Sequence, residues 1–436
     1  MYSLSDAFPY TALMLGLALC PLLLPKIWHV FEKPILAAIG IWALVVMVQA
    51  EGAHQAMHNF THMLLHEYIA FLAILFALFV VAGGIHVQFN VSDSLKNNVM
   101  ILLSGAVLAN FIGTTGASMV LIRPFLKLNH NRAYKTHLGV FFIFIVANIG
   151  GSLTPLGDPP LFMGYLAGVD FGWTLQHGWM PFLMMITFCL GVFACIDRAK
   201  NKHTVSQRYD VSITIEGGMN FVLMGAIVAI TLLAPCLSND YVASVMGVGI
   251  SWQDIVRDFG YVLIGGLSMW LTPKHIHDHQ HFNFEPLKEV ARVFLVIFLS
   301  LIPISAMLKL GDDGPFRALF SFAHEQGMPV DVRYFWLSGS LSAFLDNAPT
   351  YLLFFKMAGG NAQTLMQQLP STLLAISLGA VYMGAMSYIG NAPNFMVRSI
   401  AKQSGVEMPS FVGYMVWSCV ILLPILYCIS LLLKHF

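Results

Sequence analysis

Two matched polar interruptions inside long apolar runs restrict this chain more than any other feature. Residues 98–126 and 333–357 are apolar segments that carry Gly, Ser, Thr and Asn in their middles. Residues 137–168 and 371–400 are apolar runs interrupted by Leu156-Gly-Asp-Pro-Pro and by Ile389-Gly-Asn-Ala-Pro. Regular helix does not continue through such clusters of proline and glycine. Non-helical backbone at membrane depth survives only where it is buried in protein or lines a cavity. One such break alone reads as an ordinary proline kink. Two of them, each following a matching polar segment, read as an internal repeat.

The membrane assignment rests on composition. Of 436 residues, 57% are hydrophobic and 10% charged, whereas soluble domains carry about a quarter charged residues. A spanning helix needs roughly 20 apolar residues, and ten candidate spans lie near 8–24, 34–50, 65–85, 137–168, 172–196, 218–236, 256–272, 288–310, 371–400 and 410–433. If 98–126 and 333–357 are re-entrant hairpins that do not cross, the loops divide the 22 basic residues 16 to 6 between the two faces. The richer face is then cytoplasmic. Both termini point outward, the first hairpin enters from the cytoplasm and the second from outside. The chain is expected to be a multi-pass protein of the bacterial inner membrane, with the lipid bilayer as its surroundings. No basic residue precedes the first apolar run, so the N-terminus does not read as a secretory signal. A net charge of zero gives no case for nucleic acid. The six cysteines form no CxxC pair and read as small apolar residues.

The repeat divides the chain at residues 1–216 and 217–436. In the first half Leu108-Ala-Asn-Phe-Ile-Gly-Thr114 sits at the hairpin tip; in the second, Phe344-Leu-Asp-Asn-Ala-Pro-Thr350 does. This pairs Asn110 with Asp346 and Thr114 with Thr350 at an offset of 236, while the two breaks pair at 233. Five crossings per half is an odd number, so the second half lies upside down relative to the first. Inverted repeats, broken helices and midplane sites are the architecture of secondary transporters. The fold class expected is an all-α polytopic membrane protein of two inverted five-span repeats, each with a hairpin and a broken helix.

The chemistry is expected at Asp158 and Asp346, one per half, because an acid at membrane depth is costly and usually functional. The bland reading is that such an acid only caps a half-helix, Asp158 especially, since it stands just before a helix restart. Asn110, Thr114, Thr115, Gly157, Asn347, Thr350, Gly390 and Asn391 complete the candidate site with amides, hydroxyls and loosened carbonyls. Hard oxygen ligands with two negative charges suit a small hard cation and repel an anionic carboxylate. Carboxylates that are out of water and near one another hold protons more tightly, which suffices for proton-coupled cation exchange. No cofactor is called for; Na⁺ enters as a transported or coupling ion, with protons as the other partner.

His54, His58, His62 and His66 recur every fourth residue and form one helical ladder facing outward, which reads as a plain polar face, a pH sensor or an adventitious divalent-metal site. His275, His277, His279 and His281 alternate in what reads as a loop. His66-Glu67 lacks the second histidine of HExxH, so a membrane metalloprotease gains no support.

The blocks NIGGSLTPLGDPP, LSAFLDNAPTYLLFF, SYIGNAPNFMVRSIA and ANFIGTTGASMVLIRP resemble the ion transporter superfamily, and most closely its NhaD-type sodium/proton antiporter and citrate-transporter-like branch. The resemblance covers about residues 30 to 430. It implies a scaffold domain, a mobile transport domain of hairpins and broken helices, a homodimer, and elevator-like alternating access. Dicarboxylate members carry Ser-Asn-Thr at the hairpin tips, whereas here the tips read Ala-Asn-Phe and Leu-Asp-Asn. That departure favours Na⁺/H⁺ antiport over Na⁺- or H⁺-coupled transport of citrate, a dicarboxylate or another small solute.

Overall fold

The computed structural model describes residues 2–201, 212–238, 240–280 and 282–436. Lys202 and Arg208 of the charge split lie outside these residues. Nineteen α-helices are joined by short connections and three two-stranded antiparallel ribbons among the described residues. Among the described residues, seven helical stretches are long and apolar enough to cross a membrane: Val30–Glu51, Ala53–Gly83, Leu95–Leu128, Trp173–Lys200, Met219–Cys236, Glu285–Leu308 and Phe411–His435. Leu4–Cys20, Thr136–Gly151 and Pro370–Met386 are apolar but shorter. The expected span at 256–272 is a 20-residue helix, Trp252–Leu271, started by a capping box between Ser251 and Asp254.

The two polar-centred segments are helical hairpins. Helical geometry runs from Leu95 to Leu128 except at Gly113, whose φ of 76° and ψ of 156° lie where only glycine sits without strain. The chain turns back there. A Cβ on Gly105 would stand 3.0 Å from the Cδ1 of Leu121, although sixteen residues of straight helix span about 24 Å. At the open end, Asn98 and Asn129 exchange two side-chain hydrogen bonds of 2.9 Å with one another. The second hairpin comprises Asp331–Ser342 and Asn347–Met357. Its arms meet where the rings of Tyr334 and Phe354 pack edge to face at 6.3 Å.

The broken helices form the centre of the molecule. Thr136–Ile145 is buried from His137 to its end, and Pro370–Met383 from Thr372 to its end. A helix apolar on every side belongs inside a protein. Helix stops at residues 146–158 and 384–391 and restarts at Pro159–Leu166 and Ala392–Gln403, each with Pro in its first turn. By contrast Met219–Leu233 and Phe411–Leu432 keep many apolar side chains exposed, among them Val222, Leu233, Val412 and Val420.

The reciprocal Asn98–Asn129 pair carries a prediction. Asn129→Ala strands a buried amide and is expected to cost about 1–3 kcal/mol, whereas a paired replacement of both residues by Leu restores most of it. A thermal-unfolding comparison in detergent tests this; equal midpoints for Asn129→Ala and the native chain would refute the clasp.

Candidate functional site: the Asp158 centre

The two breaks are built alike. Gly157 presses on Gly151, so that a Cβ on it would be 2.3 Å from the Gly151 carbonyl oxygen. Gly390 presses on Gly384 in the same way, at 2.5 Å. Each break is stapled to its hairpin by a hydroxyl: Thr154 donates to the Asn110 carbonyl, and Ser387 to that of Ala343. All of these contacts recur 233 residues apart. The register of contacts therefore pairs Asn110 with Ala343, Gly113 with Asp346, and Thr114 with Asn347. The offset of 236 expected at the hairpin tips is not the one that the contacts follow.

Asp158 stands at the end of the first break in extended backbone, φ −144° and ψ 143°, and is 1% exposed. Its side chain makes no cap bond to the following helix. Instead the carboxylate accepts three hydrogen bonds from three separate elements. Thr114 Oγ1, from the first hairpin tip, donates to Oδ1 at 2.8 Å. Asn391 Nδ2, from the second break, donates to the same oxygen at 3.1 Å. Asn347 Nδ2, from the second hairpin tip, donates to Oδ2. Thr114 also docks through its backbone, N–H to the carbonyl of Gly157 at 2.8 Å. Four elements, two per half of the chain, thus converge on one carboxylate.

Asp346 is placed differently. It is the N-cap of Asn347–Met357, and its Oδ1 accepts from the Ala348 N–H at 3.2 Å. The capping role weighed for Asp158 falls on Asp346 instead. Of the other candidates, Asn110 accepts from the Leu153 N–H at 2.9 Å and donates to the Ala106 carbonyl, so it holds hairpin to break rather than facing Asp158. Thr350 returns its hydroxyl to the Asp346 carbonyl, and Gly390 provides the close approach to Gly384.

Two residues absent from the sequence-derived set tie the breaks together. Asn148 accepts from Asn391 at 3.2 Å and donates to Asn394 Oδ1 at 2.7 Å. Asn394 in turn donates to the carbonyls of Gly384 and Ser387. Both amides are fully buried. An amide in the middle of an apolar run must find partners, and that signal stood in the same sequence blocks as the recognised residues.

A cavity of about 150 Å³ adjoins the centre. Asp158, Thr114, Thr115 and Gly157 line it together with apolar side chains including Phe71 and Val290. Among the described residues, no Lys, Arg or His lines it. The sequence led to a polar cavity holding both acids; most residues lining this cavity are apolar, and Asp346 is not among them.

His54 and His62 are exposed, and His58 and His66 are half-buried. His66 Nε2 lies 3.0 Å from the Gly249 carbonyl, and Nδ1 lies 3.5 Å from Asp254. The chain takes a π-helical turn over Met63–Tyr68, a form frequent at functional sites. No group of three or more His, Cys, Asp and Glu gathers as a metal site among the described residues. The stretch expected as a second histidine loop is the short helix Lys274–Gln280, and His281 lies outside the described residues. The ladder is expected to tune rather than perform function. Replacing all four histidines with Gln should move the pH profile of transport by about one unit or less, since imidazole is the side chain suited to tuning near neutral pH; total loss of transport would contradict this.

No curated protein matches the chain. A family profile does, over residues 1–434, and its description is "Putative citrate transport". With apolar helices throughout and a polar centre buried among broken helices, the chain belongs to that citrate-transporter-like membrane family and is a multi-pass secondary transporter, not an enzyme.

Proposed function

We propose that this transporter exchanges a small cation, Na⁺ first, for protons at Asp158. The observation that carries the reading is one buried carboxylate held by donors from both hairpins and the second break, beside a cavity with no basic residue. A tricarboxylate entering that cavity would meet a carboxylate and no countercharge, and a desolvated like-charge contact is costly. A hard cation meets oxygen ligands instead. Asn347 and Asn391 donate through their amide nitrogens, and a half-turn about the last side-chain torsion presents an oxygen in the same place. Asn347 Oδ1 is buried without a hydrogen-bond partner among the described residues, which leaves it free to enter a cation's shell. The three donors satisfy the ionised carboxylate when no cation is bound. A proton and a cation then compete for one charge, so loading one releases the other.

Two inverted halves would supply alternating access, with hairpins and broken helices moving as one transport domain against a scaffold, in a homodimer. Asp346, as helix cap, fixes the position of Asn347 and adds negative charge nearby. The second reading, uptake of citrate or another small solute coupled to Na⁺ or H⁺, is favoured by the family's description. Proteoliposomes separate the two. Radioactive sodium uptake driven by an outward proton gradient, without citrate, supports exchange. Uptake of labelled citrate that needs a sodium or proton gradient, with no sodium uptake in its absence, would replace it.

A further inference from the structure

The cavity beside Asp158 has two properties that an inorganic ion alone does not explain. Its volume of about 150 Å³ is that of a void which accepts a benzene ring. Its walls also carry the aromatic rings of Phe71, Phe79 and Phe162, with Leu75 and Val290. A hydrated metal ion gains little from such walls, because they offer it no oxygen and displace its water. An acid in the lining of a mostly apolar, aromatic-walled chamber is the complement of a different ligand. That ligand has a positively charged nitrogen with N–H donors at one end and a compact apolar body at the other. Phenylalanine rings add attraction for a cation over their faces, and the absence of basic side chains from the lining leaves nothing to repel one.

We infer that the cavity is a binding site for a small organic ammonium ion, with its nitrogen at the Asp158 carboxylate and its hydrocarbon body against the phenylalanines. This rests on the reading that Asp158 holds a cation, and it extends the ligand class from inorganic ions to primary amines of about benzylamine's size. The site discriminates by charge at one end and by volume at the other. Benzyl alcohol, close in shape but neutral, lacks the charge. A bulkier amine lacks the room.

Calorimetric titration of the purified protein in lipid nanodiscs tests this with benzylammonium chloride and benzyl alcohol as probes. Benzylammonium is expected to bind at least about tenfold more tightly than the alcohol, the discrimination that about 1.4 kcal/mol of charge-dependent interaction supplies. Na⁺ is expected to weaken it by competition. Val290→Phe, which fills the chamber from the helix Glu285–Leu308, is expected to lower benzylammonium affinity at least tenfold while its thermal-unfolding midpoint shows it still folded. Leu75→Phe, filling it from Ile69–Gly83, is the second such variant should the first express poorly. Equal binding of the neutral alcohol, no binding of the amine, or indifference to both filling variants would overturn the inference. Sodium uptake without amine binding leaves the exchange reading in place and removes this one. Amine binding that depends on Asp158 and on the open chamber, with no sodium uptake, does the reverse.

Discussion

Asp158→Asn is expected to reduce sodium-driven proton flux by at least about 100-fold, equivalent to about 2.7 kcal/mol of barrier, because the charge for which proton and cation compete is gone. An amide cannot bind a proton and a cation in turn. Size hardly changes, and two effects on folding oppose one another. Removing a costly buried charge helps, while the new amide N–H faces donors from Thr114, Asn347 or Asn391, a mismatch worth about 1–3 kcal/mol. The variant should therefore still reach the membrane folded. Asp346→Asn is the instructive contrast, because Asn caps a helix almost as well as Asp, whereas Asp346→Ala loses the cap at about 1 kcal/mol. Most flux should persist in Asp346→Asn, within about fivefold, since the cap geometry at Ala348 is retained. Equal amounts of each protein in vesicles, with internal pH followed on adding sodium, give the answer. Native flux from Asp158→Asn would remove the exchange centre. Complete loss in both variants would mean that exchange needs two carboxylates.

Gly157→Ala should be as damaging by a different route. Its Cβ would lie 2.3 Å from the Gly151 carbonyl oxygen and 2.7 Å from that carbon, both backbone atoms. Backbone cannot swing aside as a side chain can, so the break must open. Gly390→Ala meets the Gly384 and Ser342 carbonyl oxygens at 2.5 and 2.8 Å. Overpacking of a dense interior costs about 1–3 kcal/mol, and more when backbone must move. We expect roughly 3 kcal/mol or more for each variant, with transport lost alongside stability. Gly266→Ala is the control: it lies inside the helix Trp252–Leu271 with nothing within 4 Å of the added carbon. There alanine should stabilise by about 0.5–1 kcal/mol. Unfolding midpoints in detergent decide the matter, and a Gly157→Ala midpoint equal to the native one would disprove the close approach.

The two acids differ in what holds them: Asp158 gathers donors from distant elements, and Asp346 caps a helix. Both are Asp residues before a helix, and both sit in conspicuous motifs, yet their surroundings differ. Asp158 spends its oxygens on side chains from distant elements, and Asp346 spends one on its own helix. The amides Asn148 and Asn394 make this possible by locking the two breaks to each other, which holds Asn391 within reach of Asp158.

The amino-acid sequence alone determined which stretches are apolar, where helix must stop, and that each half has one polar hairpin and one break. Those properties are local: proline lacks an N–H, glycine tolerates a φ of 76°, and a run of apolar residues is visible without its neighbours. The candidate residues Thr114, Asp158, Asn347 and Asn391 were legible for the same reason, as polar groups in apolar runs. The sequence could not separate the roles of Asp158 and Asp346, since which donor reaches a carboxylate depends on elements as many as 233 residues away. It also paired the hairpin tips three residues out of register, because Asn110 resembles Asp346 in chemistry whereas position is decided by the Thr154 and Ser387 staples. The apolar chamber beside Asp158 left no trace in any single segment: its walls come from five or more separated stretches, and only their packing creates the space between them.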